Sequence, residues 1–138
     1  MTTINMQTMR YINLLDKASQ VKTKKCFVYN NIIFFAVPKH LVSKAIGPSA
    51  VNVKRIQEHL NKKIRIIAES EGLKDVGRFV KDVVAPVKFK SLEIKDNSFV
   101  LTAGSNQSKA VLIGRNRAKF DELREILYDM FGLDLEIV

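Results

Sequence analysis

Residues 45–60 read AIGPSAVNVKRIQEHL, and residues 112–127 read LIGRNRAKFDELREIL. In both stretches an isoleucine and a glycine stand before a short polar loop, and a helix-forming run follows. Gly47 and Gly114 are 67 residues apart, which indicates an internal repeat. Because a glycine loop that opens a helix can hold a phosphate group, two tandem copies predict one elongated nucleic-acid surface.

The repeat divides the chain of 138 residues into two units, which we place at residues 1–70 and 71–138. Hydrophobic residues make up 46% of the chain and charged residues 27%, which is typical of a folded globular protein. The longest apolar run, Ile32 to Val37, is too short to cross a bilayer, and the first residues lack the pattern of a signal peptide. The single cysteine, Cys26, excludes an internal disulfide. We therefore expect a cytoplasmic protein with no membrane partner.

The net charge of +9 is concentrated in the first unit. Residues 1–69 hold 12 Lys and Arg against 3 Asp and Glu, whereas residues 70–138 hold 11 of each kind. A basic surface raises the local concentration of polyanions and speeds their encounter with the protein. The charge therefore favours a nucleic-acid partner, although a charge that serves only solubility is the alternative.

Hydrophobic spacing and turn residues predict the same order of elements in both units. In the first unit we expect helices at 5–18, 39–46 and 50–61, strands at 22–29 and 32–37, and a last strand that contains Ile64, Ile66 and Ala68. In the second unit we expect helices at 73–84, 105–113 and 118–131 and strands at 87–94, 98–103 and 133–137. The order helix, strand, strand, helix, helix, strand thus occurs twice and predicts an α+β fold. Each glycine loop falls between the fourth and fifth elements.

This order resembles the type II KH domain, in which a GxxG loop joins the same two helices. Two such domains would cover essentially the whole chain, as in the archaeal members of the NusA family of transcription factors. The string Ile113-Gly114-Arg115-Asn116 is similar to the second KH loop of that family. The resemblance implies two tandem type II KH domains, each α-β-β-α-α-β, that bind single-stranded RNA.

The resemblance also implies which residues contact the RNA. Glycine lets the loop backbone approach the sugar-phosphate chain, and the following helix offers N–H groups. The loops are Gly47, Pro48, Ser49 and Ala50 in the first unit and Gly114, Arg115, Asn116 and Arg117 in the second. The cations that flank them are Lys44, Lys54, Arg55, Arg115, Arg117 and Lys119. Ile46 and Ile113 are expected to line an aliphatic groove that receives the bases.

The chain departs from the GxxG pattern at the fourth loop position, which is Ala50 in the first unit and Arg117 in the second. Alanine is expected to be a small change, because a helix can begin at that point. Arginine either blocks the approach of the RNA backbone or adds a contact to a phosphate. Pro48 removes one N–H donor from the first loop. The alternative for both loops is that they are retained only as turns.

Other kinds of site have little support in the sequence. The two histidines, His40 and His59, lack a cysteine or carboxylate partner at the spacing of metal ligands. Acidic pairs such as Asp121 and Glu122 are typical of a solvated helix face. P-loop, nucleophile-elbow and HExxH strings are absent. We therefore expect a protein that is not an enzyme and that uses neither a metal nor a cofactor.

The resemblance to the NusA family implies an RNA-binding transcription factor that captures nascent single-stranded RNA, and we expect the protein to be a monomer. It also implies a role in transcription termination or elongation control, with RNA polymerase as a partner. Two alternatives stay open. One is a role in ribosome assembly, since type II KH folds also occur in ribosomal and assembly proteins. The other is a basic adaptor that docks on an acidic protein without RNA.

Overall fold

The structure is a computed structural model, and it describes residues 5–138. The described residues form two compact units that divide between Glu69 and Ser70. Each unit contains three α-helices and one three-stranded sheet among the described residues. The predicted α+β class is confirmed, and so is the order helix, strand, strand, helix, helix, strand in each unit.

The first unit contains α1 (Met6–Ser19), β1 (Lys25–Tyr29), β2 (Ile32–Val37), α2 (Val42–Ile46), α3 (Val51–Leu60) and β3 (Lys63–Ala68). Its sheet has the order β1-β2-β3, with β1 antiparallel and β3 parallel to β2. Asn30 and Asn31 turn the β1–β2 hairpin with φ angles of 52° and 62°, which asparagine tolerates better than most residues. A buried cluster that includes Leu15, Phe35 and Ile56 joins the helices to one face of this sheet.

Helix α1 begins at a capping box, in which Asn5 Oδ1 accepts from the Thr8 N–H at 2.9 Å and Thr8 Oγ1 accepts from the Asn5 N–H at 3.1 Å. Strand β1 is shorter than predicted, because it begins at Lys25 and not at residue 22. The Thr23 side chain instead donates to the Ala36 carbonyl and accepts from the Lys25 N–H. Residues 21–24 therefore connect α1 to the sheet without extending the ladder.

The second unit contains α4 (Val76–Val84), β4 (Ser91–Lys95), β5 (Ser98–Thr102), α5 (Asn106–Ile113), α6 (Ala118–Phe131) and β6 (Asp134–Ile137). The sheet order β4-β5-β6 and its strand directions repeat those of the first unit. Phe131 packs edge-on against Phe79 and Phe99 in the core, with ring centroids 6.3 and 5.7 Å apart. Strand β4 begins at Ser91, four residues later than predicted.

Candidate nucleic-acid interface

The first glycine loop is a tight turn between α2 and α3. Gly47 has φ 82° and ψ 165°, and Ser49 and Ala50 then take left-handed conformations with φ angles of 54° and 58°. The Ala50 N–H donates to the Gly47 carbonyl at 3.0 Å. The Val51 N–H donates to the Pro48 carbonyl. The loop is thus closed by its own backbone and does not depend on its side chains.

The second loop has the same conformation, although it shares only its glycine with the first. Gly114 has φ 76° and ψ 173°, and Asn116 and Arg117 have φ angles of 54° and 62°. The Arg117 N–H donates to the Gly114 carbonyl at 3.2 Å. The repeat seen in the sequence is therefore also a repeat in backbone conformation.

Glycine is required at the first loop position for two reasons. Its φ is positive, and the space that a side chain would need is already filled. A Cβ on Gly47 would lie 2.8 Å from Asn52 Nδ2, and a Cβ on Gly114 would lie 2.9 Å from Lys119 Cγ. Asn52 is buried and donates to the Lys44 carbonyl at 3.2 Å, so it fastens α3 to the end of α2.

The expectation that Ala50 begins a helix is wrong. The fourth loop position is left-handed in both units, and helices α3 and α6 begin one residue later, at Val51 and Ala118. A side chain in this conformation costs about 1–2 kcal/mol, which glycine avoids. Both Ala50 and Arg117 therefore carry conformational strain that a GxxG loop does not have.

Several backbone donors of the two loops have no hydrogen-bond partner within residues 5–138. They are the N–H groups of Ser49, Arg115 and Asn116. Pro48 has no N–H, so the first loop offers one donor where the second offers two. A phosphate oxygen beside either loop could accept these bonds, since free amides at a helix start favour anions.

The predicted cations differ in how freely they reach solvent. Lys44, Lys54, Arg55 and Arg115 are exposed. Lys119 is only partly exposed, because its side-chain stem packs beside Gly114.

Arg117 lies over the Phe120 ring, with its Cζ 4.7 Å from the ring centroid. Arg117 is exposed, and this contact holds it at the wall of a groove.

That groove is a cleft of about 660 Å³ in the second unit. It is lined by Lys109, Ile113, Arg117, Phe120, Arg124, Asp134, Leu135, Glu136 and Ile137. Ile113 was predicted to line a groove between two helices and a strand, and Arg117 was predicted only as a loop cation. The lining residues of α6 and β6 were not named in advance. For β6 the sequence signal was the alternation of acidic and apolar residues in Asp134–Ile137, which is typical of a strand with one buried face. In the first unit Ile46 is half-buried and packs against the core cluster.

A bidentate ion pair stands at the wall of this groove. Arg124 Nε lies 2.6 Å from Asp134 Oδ1, and Arg124 Nη2 lies 3.1 Å from Asp134 Oδ2. Asp134 Oδ1 also accepts the Leu135 N–H at 2.7 Å. The hydrogen bond from Arg124 and the backbone bond from Leu135 lower the pKa of Asp134 below its ordinary value. Asp134 is therefore ionised at neutral pH and binds Arg124, which leaves less of that positive charge for a ligand.

In the first unit an uncharged side chain accepts the equivalent backbone hydrogen bond. Gln57, which stands 67 residues before Arg124, accepts the Ile64 N–H with Oε1 at 3.0 Å. Ile64 and Leu135 hold the same position in their strands, since each is the second paired residue. In both units a side chain thus accepts a hydrogen bond from the N–H of the second residue in the last strand. We call these last strands, β3 and β6, the groove strands.

The charges on the two groove strands are reversed. β3 carries Lys63 and Arg65, whereas the matching positions of β6 are Asp134 and Glu136. The strand registers establish this match, since Lys63 and Asp134 are each the first paired residue of their strand. The first unit therefore presents cations beside the loop and on β3, and the second presents cations in the loop and carboxylates on β6.

The described residues include no group of three His, Cys, Asp or Glu side chains that could hold a metal ion. Burial raises the pKa of the Cys26 thiol to about 12, so this side chain stays protonated and is a poor nucleophile at neutral pH. Among the helices of residues 5–138, none has the length and apolar content needed to cross a bilayer.

No protein-family model matches the chain. It is 22% identical over 134 residues to the probable transcription termination protein NusA of Halococcus morrhuae, covering 96% of this chain and 94% of that protein. Proteins of the same name from Methanocaldococcus jannaschii and Methanococcus vannielii are 29% and 28% identical over 84 and 92 residues. Those matches cover 61% and 67% of this chain but only 44% and 51% of the relatives.

A solved structure has the same fold as this chain. The crystal structure of APE1850 is 26% identical, with a TM-score of 0.67, and the match covers 98% of this chain and all of that one. The fold of this chain is consistent with two tandem KH-like units.

Proposed function

Because the chain is NusA-like, as its similarity to archaeal relatives of that name supports, we propose that it is an RNA-binding transcription factor. It binds nascent single-stranded RNA through two KH units and acts in transcription termination or elongation control. RNA polymerase is the protein partner that this role requires. The protein works in the cytoplasm as a monomer, and it supplies binding and not catalysis.

The observation that carries the proposal is the shared conformation of the two loops. Each has a glycine of positive φ, at least one backbone N–H without a partner in residues 5–138, and arginine or lysine nearby. Free amides and cations together suit a phosphate chain, while an aliphatic groove suits the bases. In the groove of the second unit, Ile113, Leu135 and Ile137 supply aliphatic surface among charged lining residues.

The test is a pair of acidic substitutions in the first loop, Pro48→Asp together with Ser49→Asp. Both positions are exposed, so the fold should survive, and circular dichroism checks that it does. We expect the affinity for single-stranded RNA to fall by about ten-fold or more, because two carboxylates stand where a phosphate would lie. Unchanged affinity in the folded variant would mean that the loop is only a turn.

The biological role needs a separate measurement. Tagged protein should co-purify with RNA polymerase, and RNA crosslinked to it in cells should map to nascent transcripts. Co-purification with ribosomal subunits in place of polymerase would instead assign the protein to ribosome assembly. Tight binding to an acidic protein without RNA would assign it to the adaptor class.

A further inference from the structure

A second basic surface lies on the first unit, away from its glycine loop. It consists of Arg10 and Lys17 on α1 and of Lys22 and Lys24 in the connection to β1, and we call it the basic flank. All four side chains are exposed. Within residues 5–138 none of the four forms an ion pair.

Two adjoining clefts open along the basic flank. One, of about 460 Å³, is bordered by Arg10 and Lys17, and the other, of about 630 Å³, is bordered by Lys22 and Lys24. Asn13 lines both clefts, so they form one continuous surface. The residues lining them include none from α2, the 47–50 loop, α3 or β3. This surface is therefore separate from the site proposed at Gly47.

The position of the flank in the sheet supports this separation. Lys22 and Lys24 precede β1, and β1 is one outer strand of the sheet β1-β2-β3. The groove strand β3 is the opposite outer strand. An RNA held beside β3 would have to pass around the unit before it reached the flank.

The charge of the flank fits an anion. The larger cleft also contains Lys25, Asp16 and Glu69, but Lys25 Nζ lies 3.3 Å from Glu69 Oε2, so these two neutralise each other. Asp16 is then the single carboxylate set against four cations. Such an excess of unpaired cations along a cleft is what a phosphate chain requires.

Apolar side chains lie among these cations. Met6 and Met9 line the smaller cleft and are 88% and 52% exposed. The thioether of methionine is flexible and makes favourable contacts with the faces of aromatic rings, so it offers a surface for nucleobases that has no sequence preference. The cations can bind phosphates and the two methionines can contact bases, so the surface fits single-stranded RNA better than an acidic peptide.

The second unit has part of this arrangement without the charge excess. Lys88 and Lys90 stand three and one residues before β4, as Lys22 and Lys24 stand before β1. On α4, however, Arg78 is bound by two carboxylates, with distances of 2.7 Å to Asp75 Oδ2 and to Asp82 Oδ2. Lys88 and Lys90 therefore provide a matched control with the same residues, spacing and chain position.

We propose that the basic flank is a second contact for the RNA backbone, which holds nucleotides beyond those bound at the Gly47 loop. This inference rests on the proposed function of that loop. One KH loop reaches about four nucleotides, so a short RNA fills the loop site alone and a longer one also reaches the flank. Affinity should therefore rise with RNA length, and the flank should account for part of the rise.

The experiment measures the binding of two single-stranded RNAs to the full chain, one of about four nucleotides and one about three times as long. The variant Lys22→Glu with Lys24→Glu is compared with the control Lys88→Glu with Lys90→Glu. We expect the first variant to bind the long RNA about ten-fold more weakly and the short RNA about as well as the parent, with a salt slope lower by about 1.4 for two lost phosphate contacts. The control should change both affinities by less than about three-fold.

Two results would overturn the inference. If both double variants weaken long-RNA binding equally, the effect is one of net charge and not of a site. If Lys22→Glu with Lys24→Glu leaves long-RNA binding unchanged, the flank serves another partner, such as an acidic protein. Failure of the proposed function would look different, because the Pro48 and Ser49 variant would then bind the short RNA as tightly as the parent does.

Discussion

At the scale of single residues, the fourth position of each loop decides how far the chain departs from a GxxG loop. Ala50 and Arg117 have φ angles of 58° and 62°, in the region that glycine enters without steric cost. Neither side chain has a local hydrogen bond of the kind that helps asparagine or aspartate adopt this conformation. The rest of the loop therefore imposes the strain, through the closing bonds to Gly47 and Gly114.

Ala50→Gly should stabilise the protein by about 1 kcal/mol, because it removes this strain and leaves the loop hydrogen bonds in place. Urea denaturation followed by circular dichroism measures the change. The control is Ala45→Gly in α2, which removes a fully buried methyl group from a helix and should destabilise the protein by about 1 kcal/mol or more. A loss of stability in Ala50→Gly would show that the left-handed conformation carries little strain.

Arg117→Gly should change stability by less than about 1 kcal/mol, because relief of strain offsets the lost contact with Phe120. Its RNA affinity should fall at low salt, since the guanidinium lies at the wall of the groove. The slope of log affinity against log salt should fall by about 0.7 to 1, as for one lost phosphate contact. Titrations at two salt concentrations decide the role of Arg117. Tighter binding with an unchanged slope would mean that Arg117 obstructs the groove.

At the scale of secondary-structure elements, the two units differ most in their groove strands. β3 and β6 occupy equivalent places, parallel to the central strand, yet one carries Lys63 and Arg65 and the other Asp134 and Glu136. In each strand the N–H of the second residue donates to a side chain, from Ile64 to Gln57 in one unit and from Leu135 to Asp134 in the other. The backbone arrangement is therefore equivalent, and the strands differ in the charge they present to a phosphate chain.

Two charge reversals on these strands should have opposite effects on RNA binding. Glu136→Lys should raise the affinity for single-stranded RNA by about five-fold, and Lys63→Glu should lower it by about the same factor, equivalent to about 1 kcal/mol each. Both side chains are exposed, so thermal unfolding should be nearly unchanged. Binding assays at one fixed salt concentration measure the effect. Shifts of the same sign would refute a direct role for the groove strands.

At the scale of the whole molecule, charge separates the two units more clearly than fold does. The two halves repeat one topology and one loop conformation, but the excess of nine positive charges belongs entirely to residues 1–69. The second loop has more free amides, and the first unit has the larger net positive charge. Because non-specific affinity for nucleic acid depends chiefly on released counterions, the first unit should supply most of it.

Acidic substitutions in the two loops test whether the first unit supplies most of the affinity for RNA. Arg115→Asp with Asn116→Asp should weaken RNA binding less than Pro48→Asp with Ser49→Asp. This outcome is a strict test, because the change at Arg115 and Asn116 removes more positive charge than the change at Pro48 and Ser49. Full-length variants are compared at about 0.1 M salt, where screening is moderate. A larger loss from the second loop would place the main RNA contact in the second unit.

The sequence by itself determined the order of elements, the internal repeat and the uneven charge. These features depend on local patterns: apolar residues at helical or alternating spacing, Asn30-Asn31 and Asp96-Asn97 as turns, and glycines at the loops. Each pattern acts through neighbours a few residues away, so it can be recognised without knowing what the chain packs against. The loop cations were found in the same way, because they lie beside the glycines in sequence.

Only the tertiary structure decided the conformation of the fourth loop position and the composition of the groove. Alanine and arginine have no preference for the left-handed region, so the strain at Ala50 and Arg117 arises from closing a turn between two packed helices. Arg124 meets Asp134, ten residues later, only because β6 folds back along β5 beside α6. Contacts of this kind depend on how distant elements pack, and local sequence patterns do not contain that information.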